Sequence, residues 1–234
     1  MNIFTNNLIT KHTLFIMLLI FGFNINAAPI PKAPNPDVKS YILIDYDSGM
    51  VIAEKNADLI LPPASITKIM TSYIIFTELQ NKTLSKNDDV LVSKKAWKTG
   101  GSKMFIEVGK KVKVSDLLHG IITSSGNDAS VAMAEHISGD EETFSIYMNQ
   151  LAENLGMNNT SYANSTGLPD DDLFTTARDI SLLARSLIKT FPKEYKLYSK
   201  KEYVYNEIKQ YSRNKLLYLD DTVDGMKTGY TKKA

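Results

Sequence analysis

Ser65 and Lys68 stand three residues apart in "LPPASITKIMTS" (61–72), where an apolar run begins. Residues at that spacing lie on one face of a helical turn, so hydroxyl and amine would meet. Two chemistries fit. Ser65, or Thr67 if the helix starts later, could be an N-cap whose oxygen accepts a backbone N–H. Alternatively, Ser65 is a nucleophile and Lys68 the base that takes its proton. An unassisted serine hydroxyl is a poor nucleophile near neutral pH and needs such a base. Histidine does not supply it. His12 lies in the leader, His119 and His136 sit inside helical patterns that packing explains, and no G-x-S-x-G elbow occurs. A lysine serves as base only when neutral, which requires burial and a second ammonium nearby to lower its pKa.

The elements that must position these groups are legible in outline. The 234 residues are 43% hydrophobic and 23% charged, with a net charge of +1. Such a chain can build one sizeable core, and its interspersed charges predict no nucleic-acid partner. With no cysteine, disulfides, thiol catalysis and Cys-type zinc sites are excluded. "KKVK" (110–113) and "TKKA" (231–234) read as solvated lysines.

At the N-terminus, Lys11 precedes the apolar run "LFIMLLIFGF" (14–23), followed by "NINAAP". Ten apolar residues are too few for a bilayer, which needs about 20. The layout predicts a secretory signal peptide over 1–27, cleaved near Ala27 or Ala28. The alternative is an uncleaved N-terminal anchor. A Pro-rich spacer over 28–37 follows, then one domain over 38–234.

Within that domain, "YILIDYDSGMVIAEKN" predicts a β-hairpin around Gly49. "IMTSYIIFTEL" (69–79) is too apolar for a surface helix and should be central. Helices are predicted over 115–124, with Ser115 as cap and Asp116 in the first turn, and over 127–138, 140–157 and 176–191. Short strands flank Gly100 and Gly101, residues 158–172 read as loop, and 201–211 alternates like a strand. "TVDGMKTGYTKK" reads as a closing strand. Strands, a helical block and strands again predict an α+β fold whose flanking strands share one sheet.

Two further elements complete the chemistry: "SGN" (Ser125 to Asn127) and "KTG" (Lys227 to Gly229). Each of the three motifs is weak alone. Together, in this order, they form the set found in penicillin-binding proteins and β-lactamases. The chain resembles the low-molecular-mass penicillin-binding proteins that are serine D-alanyl-D-alanine carboxypeptidases (peptidase S11). The likeness runs from "YILIDYDSGMVIAEKNAD" through "LLHGIITSSGNDASVAMAEH" to "VDGMKTGYT". It implies a β-lactamase/transpeptidase-like fold, an antiparallel sheet flanked by helices with an inserted helical subdomain.

The resemblance also implies roles. Ser125 shuttles a proton to the leaving amine. Asn127 holds the substrate amide and orients Lys68. Lys227 supplies the second ammonium beside Lys68 and draws in an anionic substrate end, Lys227 and Thr228 bind the terminal carboxylate, and Gly229 keeps its strand clear where substrate lies alongside. The N–H groups of Ser65 and Tyr230 form the oxyanion hole. Arg213 in "SRN" either adds charge beside the carboxylate or forms a structural ion pair. "DDD" (170–172) lacks the glycine and final Glu of an EF-hand and reads as solvated loop, so no metal and no cofactor are expected.

The implied partners are peptidoglycan stem peptides ending in D-Ala-D-Ala, β-lactams as covalent inhibitors, and a membrane surface. The implied location is the periplasm or cell-envelope surface. A class A β-lactamase fits less well, because Gly126 replaces the central Asp of the second motif and no E-x-x-L-N segment occurs. The chain stops five residues after Gly229, where the resemblance leads one to expect more strands and a helix. A C-terminally incomplete domain is therefore expected, and an inactive remnant that still binds penicillin is the rival outcome.

Overall fold

The computed structural model describes residues 32–231. The predicted leader, the first four residues of the predicted spacer and the last three residues lie outside them. From Pro36 onward the chain forms one unit.

Strands β1 (Tyr41–Ile44) and β2 (Val51–Lys55) make the expected antiparallel hairpin, with Tyr41 opposite Lys55 and a register shift between Leu43 and Ile44. Asp45 builds the turn: its carboxylate accepts the Ser48 N–H at 2.8 Å, and Gly49 takes a φ of +75°. The hairpin tip is tied down from a distance. Arg185 donates to the Tyr46 and Asp47 carbonyls at 2.7 and 2.8 Å.

A 3₁₀ turn over Ala64–Thr67 leads into α1 (Lys68–Asn81), whose residues from Lys68 to Phe76 are all buried. That burial answers the unbroken apolar run, and α1 is the central helix. Strand β3 (Asp89–Leu91) and α2 (Lys94–Lys98) follow, then β4 (Lys111–Lys113), which pairs with β3. Helix α3 (Val114–His119) starts directly out of β4. Lys113, not Ser115, is therefore its N-cap residue, and Ser115 lies inside the first turn. Asp116 occupies the first turn as expected, where a carboxylate suits the helix dipole. The helix then widens into a π-type turn (Gly120–Ser124) that ends at Ser125 in the left-handed region.

Helices α4 (Asn127–Ser138), α5 (Glu141–Asn154) and α6 (Ala177–Thr190) match the expected spans within a few residues. Asp140 and Thr176 cap the last two by accepting the Thr143 and Asp179 N–H groups. The core between these helices is built from Met70, Ile74, Phe76, Leu117, Met133 and Phe144, among others.

Two strand expectations change. Residues 201–211 are not one strand but a hairpin of β5 (Glu202–Tyr205) and β6 (Ile208–Tyr211). Asn206 and Glu207 both adopt positive φ, 47° and 63°, the conformation a two-residue hairpin loop requires. Glu at the second position hid that turn from the sequence.

The segment containing Lys227–Gly229 forms no strand, and the described residues hold three separate two-stranded sheets instead of one shared sheet. The hydrogen bonds in and beside it reach no strand. Val223 N–H bonds Asp220, the Gly225 carbonyl accepts from Asn214, and Lys227 Nζ donates to the Thr228 carbonyl. A ladder needs those groups offered to a neighbouring strand.

Residues 158–176 fold back over the start of α1. Leu61 and Thr175 exchange backbone bonds, and Asp179 accepts the Asn159 N–H and the Thr160 hydroxyl. Gly167, at φ +81°, lies so close that a Cβ would fall 1.8 Å from the Ala64 carbonyl oxygen. Gly139 also has positive φ but faces open space. Gly167→Ala should therefore cost more stability than Gly139→Ala, by about 1–3 kcal/mol of overpacking. Urea unfolding of the two variants checks this, and equal costs would contradict the close approach.

Candidate active site

Ser65 sits within the 3₁₀ turn, preceded by Pro62, Pro63 and by Ala64 at φ +48°. Neither Ser65 nor Thr67 caps α1 through its side chain. The capping alternative is therefore not realised. The Ser65 hydroxyl instead lies 3.2 Å from Lys68 Nζ.

Lys68 is fully buried. Its amine donates to Asn127 Oδ1 at 2.6 Å and to the Thr166 carbonyl at 2.5 Å. Both partners can only accept through these oxygens. A neutral amine has two N–H donors and one lone pair. When the amine is neutral, both donors are committed to these oxygens and its lone pair faces Ser65 Oγ, the geometry a base needs to take that proton. The pKa of Lys68 is held well below its ordinary value, first by burial, then by Lys227 and Arg213, with Asp128 acting against them.

Asn127 is the first residue of α4. It also donates through Nδ2 to the Gly100 carbonyl at 2.7 Å, which fixes the plane of its amide. Ser125 is buried, and its hydroxyl has no hydrogen-bond partner among the described residues. An enclosed hydroxyl without a partner is costly for stability and is expected where it serves chemistry.

Thr166 was not singled out from the sequence. It lies in a loop organised by Asn164, whose Oδ1 accepts the Thr166 and Gly167 N–H groups and the Thr166 hydroxyl. The only sequence signal is "NSTG", an Asn two and three residues ahead of the groups it binds.

Ser65, Asn127, Arg213 and Tyr230 line one cleft of about 350 Å³, with Gly101, Ser102 and Thr166–Leu168 as further walls. Ser65 N–H belongs to the first turn of a helical segment, where N–H groups lack intrahelical partners. Lys227 lies close enough to depress Lys68, and burial together with Arg213 lowers Lys227 itself to about 7. Arg213 has no ion-pair partner among the described residues. It donates weakly to the Ser124 carbonyl at 3.3 Å, so its charge remains available at the cleft.

Thr228 is partly exposed beside Lys227. Gly229 lies against the turn that carries Ser65. A Cβ there would come within 3.0 Å of the Pro63 carbonyl and 3.1 Å of Ile66, so it packs on the Ser65 turn. The histidines keep structural roles: His119 stacks on Tyr203 with ring centroids 4.6 Å apart, and His136 is exposed.

A family profile described as D-alanyl-D-alanine carboxypeptidase (peptidase S11) matches residues 27–234. The chain is 45% identical over 210 residues to D-alanyl-D-alanine carboxypeptidase DacC of Escherichia coli K12, covering 87% of this chain and 52% of that protein. It is 39% identical to DacF of Bacillus subtilis 168, covering 94% and 58%. Among solved structures, penicillin-binding protein 5 from Haemophilus influenzae superposes with a TM-score of 0.84 at 40% identity, over 87% of this chain and 60% of that one. Penicillin-binding protein D2 from Listeria monocytogenes, in its ampicillin-bound form, gives 0.77 at 28%, over 86% and 83%. The chain thus spans about half the length of the curated relatives it matches.

The two depressed lysines predict a bell-shaped pH profile. Lys68 must be neutral to act, so acylation of Ser65 rises as pH passes upward through its lowered pKa. Lys227 must be charged to hold an anion, so the rate for a carboxylate-bearing probe falls above pH about 7. The methyl ester of the same probe should keep the acid limb and lose the basic one. Second-order acylation rates across pH measure both, and identical profiles for the two probes would contradict the role of Lys227.

Proposed function

The chain belongs to the peptidase S11 family of D-alanyl-D-alanine carboxypeptidases, and from that premise we propose that it removes the terminal D-alanine from peptidoglycan stem peptides through a Ser65 acyl-enzyme. The observation that carries this reading is the buried Lys68 amine, with two donors committed and its third position on Ser65 Oγ.

As Ser65 Oγ bonds to the carbonyl carbon of the penultimate D-alanine, its proton passes to Lys68. The N–H groups of Ser65 and Tyr230 take the charge that develops on the carbonyl oxygen. The C–N bond then breaks, and the departing amine receives the proton held by Lys68, relayed by the Ser125 hydroxyl. Water hydrolyses the ester and restores Ser65. Asn127 holds the substrate amide, while Lys227, Thr228 and Arg213 hold the terminal carboxylate. A β-lactam offers the same carbonyl and carboxylate, and its opened ring would stay attached to Ser65.

Residues 14–28 carry the pattern of a cleaved leader, which supports export to the periplasm or cell-envelope surface. No helix among the described residues is long and apolar enough to cross a membrane.

Incubation with a fluorescent penicillin should give a covalent adduct that Ser65→Ala abolishes. Lys68→Ala should slow its formation by about 10²–10⁴-fold, the usual contribution of a general base. Thr228→Val should chiefly raise KM for a D-Ala-D-Ala peptide, read as D-alanine release. An adduct that survives Ser65→Ala would overturn the mechanism. Mass spectrometry of exported protein should find a start at Ala28 or Pro29, and an intact Met1 on it would overturn cleavage.

A further inference from the structure

Asp128 is a buried carboxylate that the proposed chemistry leaves unused. It follows Asn127 on α4, is fully enclosed, and pairs with no cation among the described residues. Its oxygens are taken up by backbone. Oδ1 accepts the Met104 and Ala129 N–H groups at 2.8 and 2.9 Å, and Oδ2 accepts those of Phe105 and Ile106 at 2.9 and 3.3 Å. Three consecutive N–H groups converge on one carboxylate, and Phe105 adopts a φ of +69° in doing so. A buried charge is tolerable only with such compensation.

Asn127 grips the same segment a few residues upstream. Its backbone N–H donates to the Ser102 carbonyl at 2.7 Å, and its Nδ2 to Gly100. Adjacent residues of one helix thus hold both ends of the stretch 100–106. Gly101 and Ser102 are part of the cleft wall, while Asn127 Oδ1 is a partner of Lys68. Gly126 leaves room for the clamp, since a Cβ there would lie 3.0 Å from Asp128 Oδ1 and 3.1 Å from Met104 N. Gln210 secures the Met104 carbonyl at 3.1 Å from the side of β6.

We propose that Asp128 is a positioning residue for acylation of Ser65: by clamping backbone 104–106 it fixes the 100–102 wall, the plane of the Asn127 amide, and through it the Lys68 amine. The name of the reaction rests on the carboxypeptidase reading; the clamp itself does not.

The negative charge of Asp128 has a second consequence. It raises the pKa of Lys68, against burial, Lys227 and Arg213, and it also contributes to the raised pKa of Tyr205 on β5. Removing it should therefore make the Lys68 ammonium less favourable.

Asp128→Asn keeps the shape but turns an amide NH₂ toward N–H donors and deletes the charge. Acylation by a fluorescent penicillin should slow by about 10²-fold, the order expected when a reacting group is misplaced by an ångström. The acid limb of its pH profile should move to lower pH. A loss of folded protein alone would reduce the amount labelled and leave the limb in place. Asp128→Glu retains the charge and should keep the limb where the wild type has it.

The Lys68 titration can also be read in the free protein by NMR of its labelled side chain, so the test stands even for a chain that never acylates. If Asp128→Asn does not fold, hydrogen exchange in the wild type decides. The Met104, Phe105 and Ile106 amides should be as protected as those of α4. Rapid exchange there, or an Asp128→Asn variant with wild-type rate and an unmoved acid limb, would overturn the proposal.

Discussion

The site depends on an amine buried without a carboxylate bonded to it. A lysine with a bonded carboxylate beside it would remain an ammonium and could not take a proton from Ser65. This fold instead gives Lys68 uncharged partners, Asn127 Oδ1, the Thr166 carbonyl and the Ser65 hydroxyl. The nearby Asp128 is diverted to backbone N–H groups. Every element around the site serves that economy. Helix α1 takes the lysine into the core, α4 supplies one acceptor, and the loop held by Asn164 supplies the other.

Because the acceptors come from distant parts of the chain, the parts of the site differ in how readable they are. Ser65 and Lys68 were legible because both partners lie on one turn, so spacing alone implied contact. Asn127 and Lys227 were legible as members of a motif set. Thr166 contributes only its carbonyl, an atom every residue has, so its type carries no signal. Asp128 is placed like any acid in the first turn of a helix. Its setting is made by three N–H groups more than twenty residues upstream, a convergence no local pattern encodes.

The fold shows the same division. Helices with continuous apolar runs or clear caps, such as α1, α5 and α6, were readable to within a few residues. The β5–β6 hairpin was missed because alternation continues through Asn206 and Glu207 while the backbone reverses. Period two identifies extended backbone on either side of a turn but not the turn itself. Likewise, the residues around Lys227 have strand-like composition, yet among the described residues they pair with no strand. Composition states what a segment could pair with, and tertiary contacts decide whether it does.

The order of the effects on Lys68 also bears on how the site could work with an anion bound. Burial is the largest cause of its lowered pKa, and Lys227 is second. A substrate carboxylate settling beside Lys227 would cancel part of that second effect and tend to return Lys68 to the ammonium form. A base maintained chiefly by a neighbouring cation would thus be weakened by the substrate it serves. Desolvation does not have this defect, since a bound substrate excludes further water from the cleft and strengthens it. The complete enclosure of Lys68 therefore weighs more on its pKa than the charge opposite it, and the Thr166 carbonyl, which accepts from the amine, is part of that enclosure.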